Sequence, residues 1–71
     1  MIDSNLFKYV MRKNGDSMND LAIALGLSRT SLSLKINNRS DFKLSEVQEI
    51  SKRYNLTVEQ GIKLFLPGVA A

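Results

Sequence analysis

The sequence predicts an all-α domain of five short helices. Apolar residues recur at helical spacing along the whole chain, no segment alternates apolar and polar residues as a strand would, and the one proline, Pro67, follows the last periodic segment. The 71 residues suffice for one domain, 1–71, with 67–71 as a short tail. A chain of this length buries only about 60% of the surface its unfolded form exposes, so its margin of stability is thin.

The first helix is expected from about Ser4 to Lys13, where Leu6, Phe7, Val10 and Met11 form one apolar stripe. Asn14-Gly15 stops it, because glycine accepts the left-handed conformation at a helix end. Ser17 caps the second helix, with Asp20 three residues later in a capping-box arrangement and Leu21, Ala22 and Leu25 facing inward. Gly26 ends it, and Ser28 caps a third helix from about Arg29 to Ile36. Asn37-Asn38-Arg39-Ser40 is a run of turn formers. The fourth helix spans about Leu44 to Tyr54, with Leu44, Val47, Ile50 and Tyr54 inward and Glu46, Glu49, Lys52 and Arg53 outward; its cap is open between Ser40 and Asp41. Thr57-Val58-Glu59-Gln60 opens the fifth, whose stripe is Val58, Ile62 and Phe65 and which ends at Pro67-Gly68.

Composition narrows the function classes. Cys and His are both absent, which rules out disulfides and removes the commonest zinc ligands together with thiol and imidazole catalysis. Neither a metal nor a cofactor is expected. No apolar run approaches the roughly 18 residues of a membrane span, and the N-terminus lacks the pattern of a secretory signal, so a cytoplasmic location is expected. The net charge is +3, compatible with a polyanionic partner but common elsewhere. Placement says more. Lys8, Arg12, Lys13, Arg29, Lys35, Arg39 and Lys43 face only Asp16, Asp20 and Asp41 in that stretch, whereas the C-terminal part is near neutral.

Ser17 to Asn37 reads as a single unit, two helices joined at a tight glycine turn that projects the second as a rigid arm. This helix-turn-helix, at about 17–37, resembles that of the phage repressor and Cro family, the XRE-type family. The resemblance rests on Ser17, Leu21, Ala22, Leu25-Gly26-Leu27-Ser28-Arg29, Leu32 and Ile36-Asn37, then on Asp41 through Val47 and on Asn55-Leu56-Thr57. It extends over about residues 5 to 66. It implies a lambda-repressor-like fold and a sequence-specific transcriptional regulator of phage or prophage lysis-lysogeny control, often a dimer on a palindromic operator in double-stranded DNA.

With Arg29 as origin and about 100° per residue, Leu32 and Ile36 define the inward face and Thr30 and Leu34 the outermost one, flanked by Arg29 and Ser33. Arg29, Thr30, Ser33 and Leu34 are therefore the candidate base-reading residues. An arginine fork matches guanine O6 and N7, whereas hydroxyls serve base edges or phosphates. Ser17 at the start of the second helix offers its hydroxyl and nearby free N–H groups to a phosphate, or serves only as a cap, and Met18 offers a backbone N–H; the resemblance implies further phosphate contacts at Lys35, Asn37, Asn38, Arg39 and Lys43, with a solvated loop as the alternative. Two residues depart from the family pattern. Met18 stands where relatives usually place a phosphate-binding Gln, and Leu34 where they place a polar or basic reader. Leu34 fits contact with thymine methyls, a lone exposed leucine, or packing on a protein.

Two function classes follow. One is a DNA-binding regulator, whose dimer would use the fifth helix and tail, with Leu64, Leu66 and Val69 as apolar contacts or as closure of the core. The other is a small modulator or antirepressor that binds a partner repressor protein on the same scaffold. An enzyme is not expected, since Glu46 and Glu49 read as a solvated polar face.

Overall fold

Helices this short persist only where their unpaired terminal groups find partners, and this chain supplies a partner at nearly every end. The computed structural model describes the backbone of residues 1–70 and the side chains of residues 1–68. Its elements are α1 (Ser4–Lys13), α2 (Met18–Leu25), α3 (Arg29–Ile36), α4 (Leu44–Arg53), α5 (Val58–Phe65) and a single turn, α6 (Pro67–Ala70). The described residues contain no strand. The all-α expectation with five helices holds. The sixth element is an addition: Pro67 opens a further turn, a position where its missing N–H costs nothing.

The caps are local and readable. Asp3 accepts from the Leu6 N–H, Ser28 from the Ser31 N–H. Ser17 and Asp20 exchange side-chain and backbone bonds at 3.1 and 2.9 Å, and Thr57 and Gln60 do the same at 3.1 and 2.9 Å. At α4 the cap position falls to Lys43 rather than to Ser40 or Asp41. Its backbone N–H donates to Glu46 Oε1 at 2.8 Å.

The exits share one device. Gly15, Gly26, Asn38 and Asn55 all have positive φ, and in each case the next N–H reaches back five residues to a helix carbonyl: Asp16 to Met11, Leu27 to Ala22, Arg39 to Leu34 and Leu56 to Ser51, at 2.8–2.9 Å. Glycine and asparagine are the residues that tolerate this conformation. The device stops each helix abruptly, so α2 and α3 meet at a corner and not as one rod.

Packing follows from the stripes. Phe7, Met11, Leu21, Ala22, Leu32, Ile36, Ile50, Tyr54, Leu64 and Phe65 form the buried core. Phe7 stacks on Phe42 with centroids 5.5 Å apart, and Phe65 meets both edge-on. α2 packs on α3 and α1 on α5, with the Asp3 N–H donating to the Leu64 carbonyl. Three expected facings are corrected. Leu44 is 73% exposed and Val58 82%, because each is the first residue of its helix, where the chain has not yet come over the core. Glu46, expected to face outward, is buried. Leu64 closes the core; Leu66 is exposed, and the side chain of Val69 lies outside the described residues.

Asp16 ties the loop before α2 to the end of α4. It accepts from Arg53 Nε at 2.6 Å, Arg53 Nη2 at 2.8 Å and the Tyr54 hydroxyl at 2.6 Å. The Arg53 guanidinium holds the Asp16 carboxyl below its ordinary value of 3.8 despite partial burial. A carboxylate with a depressed folded pKa stabilises the fold above the ordinary range and loses that contribution as pH falls through the folded value. Asp16→Asn is therefore expected to lower the melting midpoint at neutral pH by several degrees, with the gap to wild type closing below about pH 4. Thermal circular dichroism from acid to neutral pH measures this, and a gap equally wide in strong acid contradicts it.

Candidate nucleic-acid interface

The two turns of α3 separate its faces cleanly. Leu32 and Ile36 are essentially inaccessible, and they pin the helix to α2 and the core from behind. Arg29 and Thr30 are exposed, Ser33 is half-buried and Leu34 is 45% exposed. These four residues, joined by Met18 from the first turn of α2, line one shallow open depression. The expected base-reading set therefore forms a contiguous surface. Asn37, exposed at the exit of α3, donates through Nδ2 to the Ser33 carbonyl at 2.9 Å and to Ser33 Oγ at 3.3 Å, which orients that hydroxyl.

The expected phosphate contacts divide. Ser17, Arg39 and Lys43 are exposed, and the Ser17 hydroxyl is at the same time the acceptor of the α2 cap. Met18 packs partly against the core and contributes its side chain to the depression.

Asn38 and Lys35 are corrections. Asn38 is a clasp: its Oδ1 accepts from the Ile2 N–H at 2.7 Å, and its Nδ2 donates to the Ile2 carbonyl at 3.1 Å and to Ser4 Oγ at 3.3 Å. The Ser4 hydroxyl in turn donates to the Ile36 carbonyl. The amide is thereby engaged by the chain's own N-terminal segment at the surface.

Lys35 is 9% exposed and turns inward, where Nζ donates to Glu46 Oε1 at 2.7 Å and lies 5.9 Å from the centre of the Phe42 ring. A buried ammonium requires such a partner, and a buried Glu46 requires the ammonium. Burial pushes the Glu46 carboxyl up, but Lys35 and the Lys43 backbone N–H outweigh it and hold the group below its ordinary range. The pair locks the back of α3 to the start of α4.

Ion pairing sorts the cations. Among the described residues Lys35, Arg53 and Lys63 lie within 4.0 Å of a carboxylate, and Lys8, Arg12, Lys13, Arg29, Arg39, Lys43 and Lys52 do not. Lys8 and Arg12 belong to the basic stretch of the sequence but are not among the contacts expected from it. They line, with Met11, Asp16 and Met18, a second shallow depression that shares Met18 with the one on α3. The available signal was their spacing of four on a helix without an acidic residue, which puts both on one outward face.

Breaking the internal pair from one side strands a buried charge. Lys35→Ala is expected to destabilise the fold by about 3 kcal/mol in urea denaturation, and Lys35→Met combined with Glu46→Gln to recover most of that loss. A double variant no better than Lys35→Ala alone contradicts this account.

No curated protein and no solved structure matches the chain. A family model described as a protein of unknown function, DUF739, matches residues 3–67. The chain, matched over nearly its whole described length, belongs to the DUF739 family.

Proposed function

We propose that this protein is a sequence-specific DNA-binding regulator of the phage repressor and Cro type, which reads the major groove with the outward face of α3. The observation that supports it most is that Arg29, Thr30 and Ser33 share an open face on a helix anchored from behind by Leu32 and Ile36. A helix about 10–12 Å across fits a major groove about 12 Å wide. In that groove the Arg29 fork serves guanine O6 and N7, and the two hydroxyls serve neighbouring base edges.

Affinity on this reading comes from phosphate contacts around the rim. Arg39 and Lys43 beyond α3, and Lys8 and Arg12 on α1, carry charge that no internal carboxylate neutralises. Such contacts hold the register on the duplex and release counterions, and thus make binding steeply dependent on salt. The place of action on this reading is the cytoplasm. No described helix is long and apolar enough to cross a membrane.

Selection of duplexes from a random library, followed by fluorescence anisotropy across a salt series, tests the reading. Wild type is expected to enrich one motif and to lose affinity steeply as salt rises. Arg29→Ala is expected to cost about 1–3 kcal/mol and to relax the preference at one guanine. Arg39→Ala is expected to weaken all duplexes alike and to reduce the salt slope by about one unit. Failure to enrich any duplex, with salt-insensitive capture of another regulator instead, favours a modulator that binds a repressor protein.

A further inference from the structure

We propose that Met18 and Leu34 form a seat for the C5-methyl group of a thymine, so that the protein selects a thymine close to the guanine read by Arg29. The proposal rests on the DNA reading above and assigns a role to the two residues that a phosphate-and-hydrogen-bond account leaves idle. Leu34 stands on the outermost face of α3, and Thr30, four residues earlier, lies on the same face. Met18 enters from a different helix, so the wall of the depression is built by two elements held at a fixed corner.

The chemistry of the opening chooses its occupant. Thymine's methyl is the apolar group by which the four bases differ on the major-groove edge, and apolar contact with it is a recognised mode of readout. Leu34 offers a branched aliphatic surface, and the flexible, polarisable thioether of Met18 adapts to a small rounded group. The same depression contains Arg29 and Ser33, and Arg29 has no carboxylate within 4.0 Å. An apolar protein helix seated there would desolvate that guanidinium without compensation. A duplex supplies acceptors for it beside the methyl. Arg29 and Leu34 are five residues apart, about 7.5 Å along the helix axis, which keeps guanine and thymine within a few base pairs of each other.

Deoxyuridine isolates the methyl, because it differs from thymidine only in lacking that group. In the duplex selected from the random library, each thymine on either strand is replaced in turn by deoxyuridine, and affinity is measured by anisotropy. One position is expected to weaken wild-type binding by about 3- to 10-fold, the scale of one lost methyl contact. Leu34→Ala is expected to bind the unmodified duplex more weakly and to become indifferent to deoxyuridine at that position. Leu34 lies outside the core, so its truncation leaves the buried cluster intact, and the wild-type series needs no variant at all.

Unchanged wild-type affinity at every deoxyuridine, or full sensitivity retained in Leu34→Ala, overturns the methyl seat while leaving DNA reading in place. A selection that enriches no duplex, or Leu34 and Met18 protected only by a bound protein, overturns both.

Discussion

Everything the outer face of α3 can do depends on the burial of Leu32 and Ile36 behind it. A helix of eight residues does not hold its own shape in water, since its nucleation cost is never recovered over so few backbone bonds. Its geometry is borrowed from what it rests on. Leu32 and Ile36 set it into the buried cluster that also holds Leu21, Ala22 and Ile50, and Ala22 puts a small side chain on α2, which packs against α3. The Lys35–Glu46 pair adds direction. Hydrophobic contact is tolerant of rotation, whereas an ammonium and a carboxylate 2.7 Å apart and both buried keep the Lys35 side of α3 turned toward the start of α4.

Most of the fold was legible because its signals are local. Ser17 with Asp20 and Thr57 with Gln60 are caps that close within one turn, and Gly26 marks a bend that the backbone must make wherever the rest of the chain goes. What could not be read depends on partners distant in sequence. Glu46 looks like a surface residue until Lys35, eleven positions earlier, turns inward to meet it. Phe42 sits in an irregular loop with no periodicity to reveal it, yet it stacks on Phe7. Leu44 and Val58 satisfy the stripe rule and still face water, since a helical wheel records angle and ignores depth along the axis.

The candidate site was legible to a similar extent and for related reasons. Arg29, Thr30, Ser33 and Leu34 follow from angle alone once Leu32 and Ile36 are taken as inward, and they converge on one surface. The rim was less so. Net charge counts cations without saying which are already neutralised, and internal pairing removes Lys35 and Arg53 from the available set, whereas the exposed Lys63–Glu59 pair at 3.5 Å is only a surface contact. Internal pairing leaves Lys8 and Arg12, on a helix that no local motif had connected with the corner. Asn38 shows the opposite error: a residue type suited to phosphate is consumed by the backbone of Ile2.

That clasp makes the first residues of the chain a strap across the far end of the arm. The loop carrying Arg39 is held partly by its own turn and partly by a main-chain segment 36 positions away. Loss of that clasp would unbuckle the loop and withdraw Ile2 from the flank of the core, so the posture of the arm and the margin of the fold would loosen together.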